Sequence, residues 1–259
     1  MRTDDERVAE GMYASKQLFG KFSLLSWSHR RRFDVALELA RPLAGRPLLD
    51  YGCGDGTFLA VAHDQFPNAT GLEVDPGLVE DCTQRFAHLA GLRFMAADAA
   101  DTLPPASFGV VLCTEVLEHC PADAVSVALA RMRRLVAPDG RVIISVPVEI
   151  GVPIVIKQLA RAIAARRVHS DYRHRETYSP GAFLRMVFAT ERTVVPRPVY
   201  DAEFSPGVIS HYHGHKGFNW RAMRARIGTV FRVAETRFSP VTWLGPQLAS
   251  QAWFVCTLP

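Results

Sequence analysis

Between Leu48 and Val146 the chain alternates short apolar runs with stretches in which apolar residues recur every three or four positions. Leu48-Leu49-Asp50-Tyr51 reads as a short buried strand ending in glycines. Phe58, Leu59, Ala62 and Phe66 then form a helical stripe that stops at Pro67. Ala69 to Val74 reads as a second strand, and Leu78, Val79, Cys82 and Phe86 make a second stripe. Leu92 to Ala96 is a third strand and Phe108 to Thr114 a fourth. From Ala124 to Val136, Val125, Ala128, Leu129, Met132 and Leu135 share one helical face. Pro138-Asp139-Gly140 is expected to end that helix, and Arg141 to Val146 reads as a fifth strand. Strands and helices in this alternation predict an α/β fold with a doubly wound, mainly parallel sheet. Ligands then sit at the carboxyl ends of the strands.

Outside that stretch the pattern changes. Residues 1–47 hold an amphipathic helix with Phe33, Ala36, Leu37 and Ala40 on one face, ending near Pro42 and Gly45. Asn219 is a plausible N-cap for a helix to about Ile227, and Phe231 to Phe238 and Ala252 to Thr257 read as two closing strands. Between the fifth strand and that helix lies a long connection with a helix near Lys157 to Val168. A second helix is opened by Ser179-Pro180, with proline at its first position. A connection of this length most often serves as a lid or substrate-binding insertion. The expected organisation is a helical cap over 1–47, a core of 48–150 and 218–259, and an inserted lid over 151–217.

Composition narrows the class. With 48% apolar and 22% charged residues in 259, the chain is an ordinary globular one that needs no disulfide or metal to hold a core. The net charge of +4 is too small to argue for nucleic acid, and none is expected as a partner. Five cysteines without CxxC spacing argue against a disulfide scaffold or zinc ribbon and fit a reducing cytoplasm. The first residues lack the apolar region of a secretory signal, and no stretch reaches the roughly 18 apolar residues of a membrane span.

The strongest chemical signal is Leu48 to Ala60, LLDYGCGDGTFLA. Gly52, Gly54 and Gly56 follow a strand and precede a helix, where backbone approaches a ligand with no side chain between. A dinucleotide site would want glycine where Thr57 stands, and Asp50 ahead of the glycines repels phosphate but holds an ammonium. Glu73 ends the second strand, where a carboxylate accepts ribose hydroxyls, and Asp98 follows the third, within reach of an adenine amine. Together these describe a nucleoside with a cationic amino-acid tail, S-adenosylmethionine. Read singly, Glu73 is a solvated strand end and Asp98 the start of a turn; the conjunction carries the functional reading.

At these residues the chain resembles the class I S-adenosylmethionine-dependent methyltransferases, closely over Leu48 to Val146. The matching pieces are DYGCGDG (Asp50 to Gly56), GLEVDP (Gly71 to Pro76), AAD (Ala96 to Asp98), TEVLEH (Thr114 to His119) and RRLVAPDGRVIISVP (Arg133 to Pro147). The resemblance implies a seven-stranded sheet with an antiparallel last strand, which Ala252 to Thr257 would supply. It also implies that Asp50, Gly52, Cys53 and Gly54 contact the methionine part, Glu73 the ribose, Asp98 and Ala99 the adenine, and Thr114 the cofactor at the end of strand four. The product would be S-adenosylhomocysteine. One departure is Gly109 after Phe108, where the family often has aspartate.

The acceptor side is less defined. Candidate bases are His119, His29 and His213, with His119 just past strand four. His211, His213 and His215 alternate, so an extended chain would put all three on one face. With no acidic partner near in sequence and a turn suggested by Gly214 and Gly217, substrate contact is expected there and no metal site. Tyr13 is a candidate to close over the cofactor. From Gly151 to Arg185 seven basic residues, Arg173 and Arg175 among them, face two acids. That balance suits an anionic small-molecule acceptor, and equally a solvated face. Val152 to Val168 is apolar on one side and basic on the other, a pattern that permits contact with a lipid or membrane surface. Two other readings stay open: a nicotinamide-dependent oxidoreductase, disfavoured by Asp50 and Thr57, and a non-catalytic module that binds through the same fold.

Overall fold

The computed structural model describes residues 23–167, 178–205 and 207–259. Tyr13, Arg173 and Arg175 lie outside the described residues. Helix α1 (Ser23–Ala40) leads through a short 3-10 turn into β1 (Leu48–Tyr51), α2 (Thr57–Ala62), β2 (Ala69–Glu73), α3 (Pro76–Arg85) and β3 (Leu92–Ala96). A 3-10 turn over Ala97–Thr102 is followed by β4 (Phe108–Thr114), α4 (Ala122–Leu135) and β5 (Val136–Pro147). Then come α5 (Val152–Arg167), α6 (Pro180–Val187), β6 (Val199–Ser205), β7 (Val208–His213), α7 (Trp220–Ile227), β8 (Arg232–Ser239) and β9 (Gln251–Thr257).

The main sheet has seven strands in the order β3-β2-β1-β4-β5-β9-β8. β1 to β5 pair in parallel, while β9 runs antiparallel between β5 and β8. The expected architecture is therefore present, antiparallel last strand included. Alternation along the strands explains the two-sided packing. Leu48, Val110, Leu112, Ile143, Trp253 and Val255 point to the face covered by α1 and α2. Leu49, Val111, Cys113, Ile144, Phe254 and Cys256 point to the other, with α4 and α7. The strand order reverses between β1 and β4, and in doubly wound sheets the crevice at such a switch point receives the ligand.

Local chemistry fixes several boundaries. Asp75 caps α3 by accepting from the Gly77 N–H at 2.8 Å, with Pro76 at the first helical position. Ser179 caps α6 and Asn219 caps α7, both as the sequence predicts. Three expectations need correction. The strand after α4 does not wait for Pro138-Asp139-Gly140: α4 stops at Leu135, and β5 starts at Val136, which pairs with Phe108. The backbone can crowd there because Gly140 has no Cβ, which would stand 2.8 Å from the Gly109 carbonyl oxygen. The helix expected from Lys157 begins a turn and a half earlier, at Val152. The connection also holds a hairpin, β6–β7, that periodicity did not signal. The family departure at Gly109 has a local cause too, since a Cβ there would meet the Arg46 side chain at 2.6 Å.

Leu112 sits at the centre of the sheet and is fully buried. Leu112→Ala should lower unfolding free energy by about 2–5 kcal/mol through lost burial and the cavity left behind. Urea denaturation checks this; a change under about 1 kcal/mol would place the core elsewhere.

Candidate functional site

The glycine loop after β1 is shaped by backbone conformations that side chains resist. Gly52, Gly54 and Gly56 have φ of 84°, 55° and 71°. A Cβ on Gly52 would strike the Val116 side chain at 2.5 Å, so the loops after β1 and β4 are in direct contact. The loop is tied to its neighbours at several points. Gly52 and Cys53 donate their N–H groups to the Leu72 carbonyl at 2.8 and 3.0 Å. Arg85 of α3 donates to the Asp55 carbonyl at 2.6 Å.

Asp50 lies beneath this loop, 2% exposed, and its Oδ1 has no hydrogen-bond partner among the described residues. Burial, and secondarily the Glu73 charge, push its pKa up to about 7. A buried carboxyl with an orphaned oxygen is what a ligand ammonium satisfies. Glu73, at the end of β2, accepts from the Gly54 N–H at 2.8 Å through one oxygen. Its other oxygen accepts from Val74 (2.8 Å) and Asp75 (3.3 Å). Three of its roughly four acceptor sites are thus occupied. One ribose hydroxyl fits directly; a second requires one of these backbone bonds to open.

Asp98 is exposed on the 3-10 turn after β3, beside half-buried Ala99. Arg131 of α4 holds that turn by donating to the Ala97 carbonyl at 3.3 Å and to Asp101 at 3.1 Å. Thr114 closes β4 opposite Ser145. The sequence-predicted cofactor residues therefore lie at the carboxyl ends of β1, β2, β3 and β4.

A second polar group stands beyond β4. Glu115 has φ of 56°, rare for a side chain with a Cβ, and faces Ser145 Oγ at 3.1 Å and Arg32 at 3.5 Å. Glu118 is fully buried, and its pKa is driven well up by burial and by Glu115. His119 Nδ1 meets the His213 carbonyl oxygen at 2.8 Å, so Nδ1 carries the proton and Nε2 keeps the lone pair. Burial lowers the His119 pKa and favours the neutral ring. The His213 N–H donates back to the His119 carbonyl at 2.9 Å, and Arg197 bridges the Glu118 and Gly214 carbonyls. These contacts dock the end of β7 onto the loop after β4.

The three alternating histidines do not share a face. β7 ends at His213, so the two-residue period stops before His215. His211 pairs with Asp201 at 2.6 Å on the hairpin's exposed side, and His213 Nδ1 meets the Pro198 carbonyl at 3.0 Å. His215 instead lies with its ring 5.2 Å from that of His119 and its Nδ1 3.5 Å from Glu149. Burial alone would raise the Glu149 pKa, but His215 and Lys157, at 2.7 Å, outweigh it and hold it down at about 2. His29 lies on α1. Sequence reasoning missed Glu115, Glu118, Glu149 and Arg197. The available signal was Glu118 between Leu117 and His119, an acid set in an apolar turn.

Residues 49–144 match the family described as a methyltransferase domain. An uncharacterized methyltransferase of Mycobacterium tuberculosis is 32% identical over 115 residues, 44% of this chain and 57% of the relative. A trans-aconitate 2-methyltransferase of Methylobacterium radiotolerans is 34% identical over 139 residues, 52% of this chain and 51% of the relative. The chain spans about half the length of the curated relatives it matches. The N-methyltransferase NodS of Bradyrhizobium japonicum, solved in complex with S-adenosyl-L-homocysteine, shares the fold. Its TM-score is 0.55 at 12% identity, over 99% of this chain and 96% of that one. With its strand order and glycine loop the chain has the fold of solved methyltransferases, and its residues 49–144 match the methyltransferase domain family.

Proposed function

We propose that the chain transfers the methyl group of S-adenosylmethionine, in line, to a small anionic acceptor. The observation that carries the reading is the buried, orphaned oxygen of Asp50 under three glycines of positive φ. That arrangement suits a ligand that is cationic at the loop and hydroxylated beside Glu73. S-adenosylmethionine, when bound, supplies an electrophilic methyl on a sulfonium sulfur and leaves as S-adenosylhomocysteine. Asp50 holds the ammonium, and Gly52, Cys53 and Gly54 let the backbone approach the methionine part. Glu73 accepts a ribose hydroxyl, Asp98 and Ala99 meet the adenine, and Thr114 borders the cofactor. A phosphate-bearing nicotinamide cofactor would be repelled by Asp50.

The chain's own contribution to transfer is mainly positioning, a term worth about 7–11 kcal/mol at best. Among the candidate bases, His119 stands on the loop just past β4, and its Nδ1–H bond to the His213 carbonyl leaves the Nε2 lone pair for the acceptor. Residues 151–217 form the acceptor-binding region in this reading, because their hairpin is bonded to the loop that carries His119. Arg173 and Arg175, with His211 and His215, would select for negative charge. Support for an anionic acceptor comes from the basic balance of that region and from the named acceptor of the Methylobacterium relative. A second reading rests on α5, where Val152, Val155, Ile156 and Leu159 are all exposed at one-face helical spacing. That stripe favours contact with an apolar acceptor or a membrane surface. Among the described residues no helix is long and apolar enough to cross a membrane.

Thermal unfolding tests the cofactor directly. S-adenosylhomocysteine at a hundred times its dissociation constant should add about 2.7 kcal/mol of stability, and NAD none. A shift with NAD alone would overturn the reading. Glu73→Ala tests the ribose contact: it removes charge-assisted bonds worth about 1.5–3 kcal/mol, so affinity by calorimetry should fall about 10- to 100-fold. Unchanged affinity would put the ribose elsewhere.

A further inference from the structure

Glu118, His119 and His215 stand together where the β4 loop meets the end of the hairpin. One carboxylate oxygen or ring nitrogen from each lies within 4.8 Å of the others. Glu118 is fully buried, and neither of its carboxylate oxygens has a hydrogen-bond partner among the described residues. A buried carboxylate left this way is costly, and a bound cation removes the cost. His119 Nε2 stands 3.7 Å from Glu118 Oε1. Two ligands each about 2.0–2.2 Å from one ion stand about 3–4 Å apart, a separation this pair already has, and His215 closes in from within 4.8 Å.

The surroundings orient the group for that task. The His213 carbonyl takes the His119 Nδ1 proton, an outer contact that leaves Nε2 free to ligate. Glu149, already neutralised by Lys157, stands at 3.5 Å from His215 Nδ1 and orients that ring. Arg197 ties the carbonyls of Glu118 and Gly214, joining the two segments that supply the ligands. Glu115 is engaged by Arg32 and Ser145.

We propose that Glu118, His119 and His215 bind one divalent transition-metal ion, of the Mn2+, Fe2+ or Zn2+ class, with coordination positions left for an oxygen-bearing acceptor. One carboxylate and two imidazoles suit that class of ion. A hydroxyl on such an ion gives up its proton to solvent more readily, which serves the end assigned to His119 as a base. The two uses of Nε2 exclude each other, so the loaded site replaces the base. The inference deepens the acceptor side of the proposed function, yet ion binding is measured without cofactor or acceptor. Its failure is therefore separable from failure of the transferase reading.

The test is a titration of Mn2+ into the untagged, chelator-stripped full chain, followed by calorimetry and by the paramagnetic resonance of free ion. One ion should bind per chain. Glu118→Gln, close in shape, and His215→Ala, at a half-exposed ring, should each weaken binding at least about ten-fold with unchanged circular dichroism. His63→Ala, whose ring meets the Ala90 carbonyl outside the cluster, should bind as the parent does. Should Glu118→Gln fail to fold, His215→Ala decides. No stoichiometric binding below millimolar Mn2+, or binding that survives His215→Ala, overturns the proposal.

Discussion

A carboxyl group buried at the end of β1 is the constraint around which the cofactor half of this molecule is arranged. Asp50 cannot ionise cheaply where it stands, and burial together with Glu73 raises its pKa to about 7. With that value above the unfolded 3.8, its contribution to the ligand-free fold is complete below 3.8 and is lost as pH rises through about 7. Such a residue is a liability to an empty fold and an asset to one that binds a cation. The glycines above it, the contact of Gly52 with Val116, and the grip of Glu73 on Gly54 all keep the space over Asp50 lined by backbone.

Much of this half was legible in the sequence because its signals are local. A strand four residues long, three glycines and an acid at each strand end can be read without knowing what packs where. Ser179 and Asn219 cap helices through bonds spanning two or three residues, so those boundaries were legible too. The part built around His119 and the hairpin was not, because its contacts are long-range. His119 meets His213 across 94 residues, and Arg197 reaches Glu118 across 79. Alternation alone put His211, His213 and His215 together, but the strand ends at His213, and only His215 reaches Glu149 and His119. Glu118 escaped notice because its interest lies in its burial, which no local pattern marks.

The two halves meet through the loops that follow β1 and β4. Val116 packs on Gly52, and two residues later Glu118 points away into the cluster with His119 and His215. The strained backbone at Glu115 turns the chain just ahead of both. Residues on the hairpin and on α5 thereby gain access to the same end of the sheet as the cofactor residues, without forming part of the sheet.

The central claim is that Asp50 answers a ligand ammonium, and the most direct measurement counts protons. A bound cation stabilises the ionised carboxylate, so binding must expel the proton Asp50 holds below its raised pKa. Calorimetric titration of S-adenosylhomocysteine in buffers of different ionisation enthalpy reads that number. Release should approach about one proton at pH 6, fall towards zero at pH 8, and vanish at both in Asp50→Asn. Binding at pH 6 without proton release, or with equal release from Asp50→Asn, would contradict the account.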